Sequence, residues 1–136
     1  MANTPNITKV IDGGRNAVFH VHIRGDGVSG DLSKHVIIDP LTDFDPSRRR
    51  KPCMTITEIW YDLSGFDARL DFEYLNDETG VLALSGGNAA HLCFDSFGGL
   101  KDRSNDLDGT GKLILSTSGL LSVDHCGSII IKVRKD

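Results

Sequence analysis

Apolar and polar residues alternate along much of the chain, which is the pattern of β-strands. In segment 17–24, apolar residues occupy every second position, and His20 and His22 lie between them. Because successive side chains of a strand point to opposite faces, such a segment has one face for the core and one for solvent. The same alternation recurs in segments 68–74 and 128–134. The pattern therefore predicts half-buried strands of antiparallel sheets.

Less regular apolar runs predict further strands, and glycines next to Asp, Asn or Ser predict the turns between them. These runs are Ile7 to Ile11, Lys34 to Ile38, Met54 to Leu63, Val81 to Leu84, His91 to Phe94 and Lys112 to Thr117. In the run from Met54, strict alternation places Ile56 and Ile59 on opposite faces, so both faces are expected to be partly covered. About eight short strands joined by turns predict an all-β fold, which is a sandwich, a jelly roll or a barrel, and a two-sheet antiparallel β-sandwich is the preferred form.

The length and the composition predict one soluble domain. The 136 residues are expected to form a single β-sandwich domain over 1–136, with a flexible N-terminal arm over 1–6. The net charge of −4 argues against a nucleic-acid-binding surface. Apolar runs fall short of the roughly 20 residues of a membrane span. Because Met1 to Asn6 lack the charged and apolar blocks of a signal peptide, we expect synthesis in the cytoplasm without export by that route.

The cysteines are scattered and odd in number. Cys53, Cys93 and Cys126 form no C-x-x-C pair. This count fits a reducing compartment better than a disulfide framework. Because free cysteine behaves as a small hydrophobic residue, we expect buried or half-buried thiols.

His20 and His22 are the first candidates for metal ligands, since a strand holds two such side chains on one face about 7 Å apart. Metal-binding cupins begin from a pair of this kind, but they also need a carboxylate and a distant third histidine. Asp26 lies in a turn rather than on the same face. The preferred interpretation is two histidines on a solvent face or at an interface.

A second candidate for metal binding is the acidic segment 102–111. From Asp106 onward, oxygen-bearing side chains alternate as they do in a calcium loop. However, the twelfth position holds Thr117, where a calcium loop requires a bidentate Glu. The sequence therefore predicts an ordinary acidic loop and no metal site.

Motifs for nucleotide binding and catalysis are weak. A glycine-rich nucleotide-binding loop must open a helix. No helix is predicted after the glycines of Gly25-x-Gly27-x-x-Gly30, so this motif does not qualify. The chain contains no Gly-x-Ser-x-Gly motif, and the spacing of its carboxylates marks no acid/base pair. We therefore expect no catalytic residues, no cofactor and no enzymatic activity.

One basic run, of Arg48, Arg49, Arg50 and Lys51, lies in a long loop over 39–52. It is too short for a nucleic-acid patch and follows several aspartates. Two interpretations remain open, a solvated loop and an electrostatic contact with an acidic protein surface. Long loops on a compact β-domain often carry function, so this loop is a candidate contact site.

The second half of the chain resembles a known family. The string Phe97-Gly98-Gly99-Leu100, a Gly-Thr-Gly loop, and the strands over 112–119 and 129–135 are similar to those of head decoration (cement) proteins of tailed bacteriophages. The string Asp12-Gly13-Gly14-Arg15-Asn16 before a strand is similar too. The resemblance covers most of the chain and is weakest over 39–51.

The resemblance implies a structural virion protein that is synthesised in the host cytoplasm, has a jelly-roll-like β-sandwich fold and forms oligomers on the shell. Such a protein binds the outside of the capsid, is usually encoded beside the major capsid protein, and stabilises the shell by bridging capsomers. Its partner is then the major capsid protein and its location the capsid surface. On this reading, the arm over 1–6 and the run Arg48, Arg49, Arg50 and Lys51 are the candidates for capsid contact.

Apolar residues on nominally outer faces suggest self-association. Ile130 points opposite its two isoleucine neighbours, and Trp60 opposite Ile59 and Tyr61, so Trp60 and Ile130 are candidates for an interface. A closed homo-oligomer is expected, with a dimer favoured over a trimer. The alternatives are a carbohydrate- or ligand-binding sandwich with Trp60, Tyr61 and Tyr74 as a stacking platform, a cupin-like metal protein, and a head-tail or tail component.

Overall fold

The chain forms β-strands in a computed structural model. The structure describes residues 5–12, 16–25, 35–39, 54–74, 78–84, 86–87, 89–94, 98–101, 109–120 and 124–135. These residues contain ten strands, β1 (Asn6–Asp12), β2 (Asn16–Arg24), β3 (His35–Ile38), β4 (Met54–Ser64), β5 (Asp67–Tyr74), β6 (Glu78–Leu84), β7 (Ala89–Cys93), β8 (Leu100–Lys101), β9 (Gly109–Ser118) and β10 (Cys126–Lys135). In the described ranges, no helix has the length and apolar character needed to cross a membrane.

The strands form two antiparallel sheets. The larger has six strands in the order β1-β2-β10-β4-β7, with β8 also pairing with β4. The smaller has four strands in the order β3-β9-β5-β6. When β1 and β8 are set aside, the strand order is β2-β10-β4-β7 in the larger sheet and β3-β9-β5-β6 in the smaller one. This order is the jelly-roll arrangement, in which the chain alternates between the two sheets. The predicted all-β, two-sheet fold is confirmed.

The core lies between the two sheets and follows the alternation of the sequence. In β2, the residues Phe19, Val21 and Ile23 are all buried, while His22 is exposed. The inward residues of β10 and β9 are buried as well, among them Ile129, Ile131, Leu113 and Leu115. Full burial of each such side chain contributes about 1.5–3 kcal/mol, so this interior supplies most of the driving force for folding.

Strand β4 departs from simple alternation through a β-bulge. Lys132 of β10 pairs with Glu58, and the next residue, Val133, pairs with Ile56, so Thr57 is an extra residue. The bulge reverses the facing of the strand, and Ile56 and Ile59 are therefore both fully buried. The expectation that these two isoleucines lie on opposite faces is wrong for this reason.

Two expectations about burial also need correction. Asp71 of β5 is on the side predicted to face solvent, but it is only 1% exposed. Its Oδ1 accepts a hydrogen bond from Arg69 Nε at 2.9 Å, and its Oδ2 has no partner among the described residues. Cys93 and Cys126, expected to be buried or half-buried, are exposed. Cys53 lies outside the described residues.

The termini of several strands differ from the predicted ones. Asn6, assigned to a flexible arm from the sequence, is the first residue of β1 and pairs with His22. Residues 1–4 of that arm lie outside the described part of the chain. Strands β6, β7 and β9 begin two or three residues earlier than predicted, and β8 has no counterpart in the prediction. Because β8 has only two residues, it is too short to show a period.

Candidate functional site: the outer face of the six-stranded sheet

The chemically distinctive side chains of the described residues gather on one surface. The term outer face is used here for the side of the six-stranded sheet that points away from the core. It carries His20 and His22 of β2, Ser128, Ile130 and Lys132 of β10, Glu58, Trp60 and Asp62 of β4, and His91 and Cys93 of β7. These residues alternate with the buried ones, because each strand sends every second side chain outward.

Strand register brings the two predicted interface candidates together. Ile130 pairs with His20 on one side and with Trp60 on the other, and Trp60 pairs in turn with His91. Ile130 and Trp60 are both half-buried. The centre of the outer face is therefore an apolar row with a histidine at each side. An interface role for Ile130 and Trp60 remains a prediction.

The Trp60 ring is held by a chain of contacts. It stacks on the His91 ring with centroids 4.6 Å apart and planes 5° from parallel. His91 Nε2 in turn lies 2.8 Å from Glu58 Oε2, which accepts its hydrogen bond. Lys132 Nζ lies 3.7 Å from Glu58 Oε1. Exposed ion pairs contribute about 0–1 kcal/mol to stability, so the main effect of these contacts is to fix the orientation of the indole.

Sequence reasoning did not identify Glu58 and His91 as partners of Trp60. They are 33 residues apart, and only the pairing of β4 with β7 makes them neighbours. The sequence does indicate that His91 and Cys93 lie on one face of β7, because they alternate with their neighbours along the strand. Which strand lies beside that face depends on the sheet order, and a single sequence does not specify it.

The histidine pair of β2 lies on the outer face and not in the interior. The His20 and His22 rings are 6.4 Å apart between centroids, with planes at 71°. The inward neighbours of this pair are Phe19 and Val21, which are buried among other hydrophobic residues. Among the described residues, no cluster of three or more His, Cys, Asp or Glu side chains is arranged to hold a metal ion. Within the part of the chain that the structure describes, no third ligand therefore joins His20 and His22.

Several predicted positions lie outside the described residues. They are the capsid-contact candidates Arg48, Arg49, Arg50 and Lys51, the first part of the arm over 1–4, and the acidic segment over 102–108. Gly109 to Gly111, the end of the segment over 102–111 that was expected to be an acidic loop, belong to β9.

The aromatic residues of the carbohydrate alternative do not form one platform. Trp60 is on the outer face, whereas Tyr61, the next residue, packs against the hydrophobic core. The side chain of Tyr74 is not among those that the structure describes. A stacking platform would need at least two coplanar or adjacent rings on the same surface, and the described partner of Trp60 is His91.

Comparison with protein-family models finds no match, and comparison with curated proteins finds none either. Among solved structures, the chain is similar to an RmlC-like cupin family protein with a double-stranded β-helix fold from Methanocaldococcus jannaschii, with 11% identity over 98% of this chain and 83% of that one and a TM-score of 0.37. A cupin superfamily protein from Desulfitobacterium hafniense DCB-2 is similar at 7% identity, covering 98% and 79% of the two chains, with a TM-score of 0.33.

A cupin domain from Bordetella pertussis Tohama I is also similar, with 11% identity over 99% of this chain and 94% of that one and a TM-score of 0.30. All three similarities have low identities and TM-scores. No residue of these cupins is therefore transferred to this chain, and its site rests on its own geometry.

Proposed function

We propose that this chain is a head decoration (cement) protein, a structural protein that binds the outside of a tailed-bacteriophage capsid and bridges neighbouring capsomers. In this proposal the partner is the major capsid protein, the location is the capsid surface, and the chain is not an enzyme. The resemblance of its turn-and-strand strings to that family supports the partner, and the sandwich geometry supports a binding role.

The main structural support for a binding role is the location of the polar side chains. Buried polar residues in the described ranges are confined to Thr55, Thr57 and Asp71, and the remaining buried positions there form a hydrophobic core. The imidazole groups of His20 and His91 lie on the outer face instead. A small-molecule site is a concave cavity with a few convergent polar groups, whereas side chains on a sheet face suit contact with another macromolecule.

The sandwich is suited to act as a rigid clamp. Its sheets consist of antiparallel strands paired over long stretches, such as β10 with both β2 and β4. A protein that binds the assembled shell and not the free subunits stabilises the shell by mass action. The candidate contacts are the arm over 1–6 and the basic run over 48–51, whose cationic side chains fit acidic protein surfaces.

The test is binding to undecorated shells. If a gene for a major capsid protein lies beside the gene for this chain, shells assembled from that capsid protein alone serve as the substrate. The full-length chain is added at increasing concentration, and the number of bound copies per shell is measured by sedimentation and quantitative gel analysis. We expect saturable binding and an increase in the temperature at which the shells disrupt.

Matched variants test the basic run. Replacing Arg48, Arg49, Arg50 and Lys51 together by Ser should weaken binding at least about ten-fold at low salt, and less at high salt, because screening already weakens the wild-type contact. The control replaces the three arginines by Lys, which keeps the charge and should retain most of the binding. Undiminished occupancy of the Ser variant would contradict the role of the run, and absence of wild-type binding would contradict the proposed function.

A further inference from the structure

We propose that the outer face binds the outer face of a second copy of this chain, about a two-fold axis that runs along β10. This inference does not depend on the proposed function, since it concerns the protein in the absence of any shell. Charge, apolar area and strand register of the outer face support it.

The charged and polar side chains of the outer face differ between its two halves. His22 and Arg24 of β2 are exposed on one side of β10, and Asp62 of β4 is exposed on the other. Ser128 of β10 pairs with both His22 and Asp62, so these two residues occupy the same row. Two strand spacings separate them by about 10 Å, which is too far for a direct contact within one chain. Among the described residues, Asp62 makes no ion pair.

The centre of the same face is apolar. Ile130 is half-buried between His20 and Trp60, and Val18 is half-buried one row away. An apolar centre with charged residues around it is the usual composition of a protein interface. The Trp60 ring is already oriented by its stack on His91, so little conformational entropy is lost when a second surface covers it.

The two halves of the face fit each other under one symmetry. A two-fold axis along β10, lying between two stacked sheets, places β2 of each copy against β4 of the other. His22 then faces Asp62 of the second copy, and by symmetry the same pair forms twice. In the adjacent row, His20 faces Trp60 of the second copy, and the Ile130 side chains of the two copies meet at the axis.

Other charges distinguish this axis from an alternative one. An axis perpendicular to the strands would place Asp62 against Glu58 of the second copy, which brings like charges together. With the axis along β10, Glu58 remains with His91 and Lys132 of its own chain. The ammonium group of Lys132 lies 3.7 Å from Glu58 of β4 and is thereby drawn away from the axis.

The test is the oligomeric state of the purified full-length chain, measured by sedimentation equilibrium over a wide range of concentration. We expect a dimer for the wild type. Ile130→Glu should raise the dimer dissociation constant at least about ten-fold, because it places two carboxylates at the axis. The control is Ala83→Glu, which adds the same charge at an exposed position of β6 in the other sheet and should leave the dimer intact.

Exchange of the two facing side chains tests the register. His22→Asp and Asp62→His should each weaken the dimer, and the two changes combined should restore it. Circular dichroism and thermal unfolding show whether each variant is folded. A monomeric wild type, a trimer, a dimer insensitive to Ile130→Glu, or a failure of the swap to restore association would each overturn the inference. A monomer whose shell binding is lost on Ile130→Glu would assign the face to the capsid instead, which also contradicts it.

Discussion

At the scale of single residues, the loop before β8 shows how two neighbouring glycines differ in their constraints. Gly98 and Gly99 both have positive φ angles, 88° and 93°. A side chain at Gly98 would meet nothing within 4 Å, whereas a Cβ at Gly99 would lie 2.5 Å from Thr55 Cγ2 and 2.8 Å from the Ile56 carbonyl oxygen. Gly99 is therefore required by backbone conformation and by the close approach of β4.

We expect Gly99→Ala to destabilise the protein by about 2–4 kcal/mol, because the left-handed backbone and a clash with β4 act together. The matched control, Gly98→Ala, carries the backbone term alone and should cost about 1–2 kcal/mol. Urea unfolding followed by tryptophan fluorescence measures both. Equal losses of stability in the two variants would contradict the close packing of Gly99 on β4.

At the scale of elements, the bulge in β4 sets which side chains reach the core and which reach the outer face. Thr57 is the extra residue, its hydroxyl donates a hydrogen bond to the Lys132 carbonyl at 3.2 Å, and its own carbonyl accepts one from the Phe94 amide at 2.9 Å. Because side chains alternate strictly along a strand, only an extra residue lets Ile56 and Ile59 both point inward.

Deletion of Thr57 should leave the facing of β4 intact, but it should cost more stability than substitution of this residue. Without the extra residue, Ile56 stays opposite Val133 and still faces the core, but the hydrogen bonds of Thr57 to Lys132 and Phe94 are lost, and we expect a loss of about 1–3 kcal/mol with unfolding still cooperative. Thr57→Ser keeps the chain length and the hydroxyl, and should stay within about 1 kcal/mol of the wild type. Thermal unfolding compares the two. A deletion variant as stable as the serine variant would contradict this account of the bulge.

At the scale of the whole molecule, the two proposals assign different surfaces to different partners. The outer face, centred on Ile130 and Trp60, is assigned to a second copy, and the basic run over 48–51 is assigned to the shell. A dimer then presents two copies of the run. Binding of the second copy becomes intramolecular once the first is bound, so a dimer can hold the shell more tightly than a monomer without any new contact.

If both proposals hold, Ile130→Glu should lower the affinity for shells by about 10²-fold or more, although the basic run is unchanged. Ala83→Glu is again the control and should bind as the wild type does. Shell binding is measured at a concentration at which the wild type is dimeric and the Ile130 variant monomeric. Equal binding by a monomeric variant and a dimeric wild type would show that dimerisation does not contribute to the affinity.

The sequence by itself determined the strands and most of their facing. The alternation in β2, β5 and β10 predicts both, because the period of two is a property of the local backbone. It also placed Ile130 and Trp60 outward. The all-β class followed from the number of short strands and the glycine-rich turns between them, whereas the jelly-roll form was an implication of the family resemblance.

Only the tertiary structure decided which of these strands are neighbours. The contact of Trp60 with His91, the bulge at Thr57 and the burial of Asp71 all depend on pairing between segments far apart in the chain. A strand has the same local pattern whichever strand lies beside it. The register of a strand and the burial of its side chains are set only when the two sheets pack around the core. The composition of the outer face therefore depends on the tertiary structure.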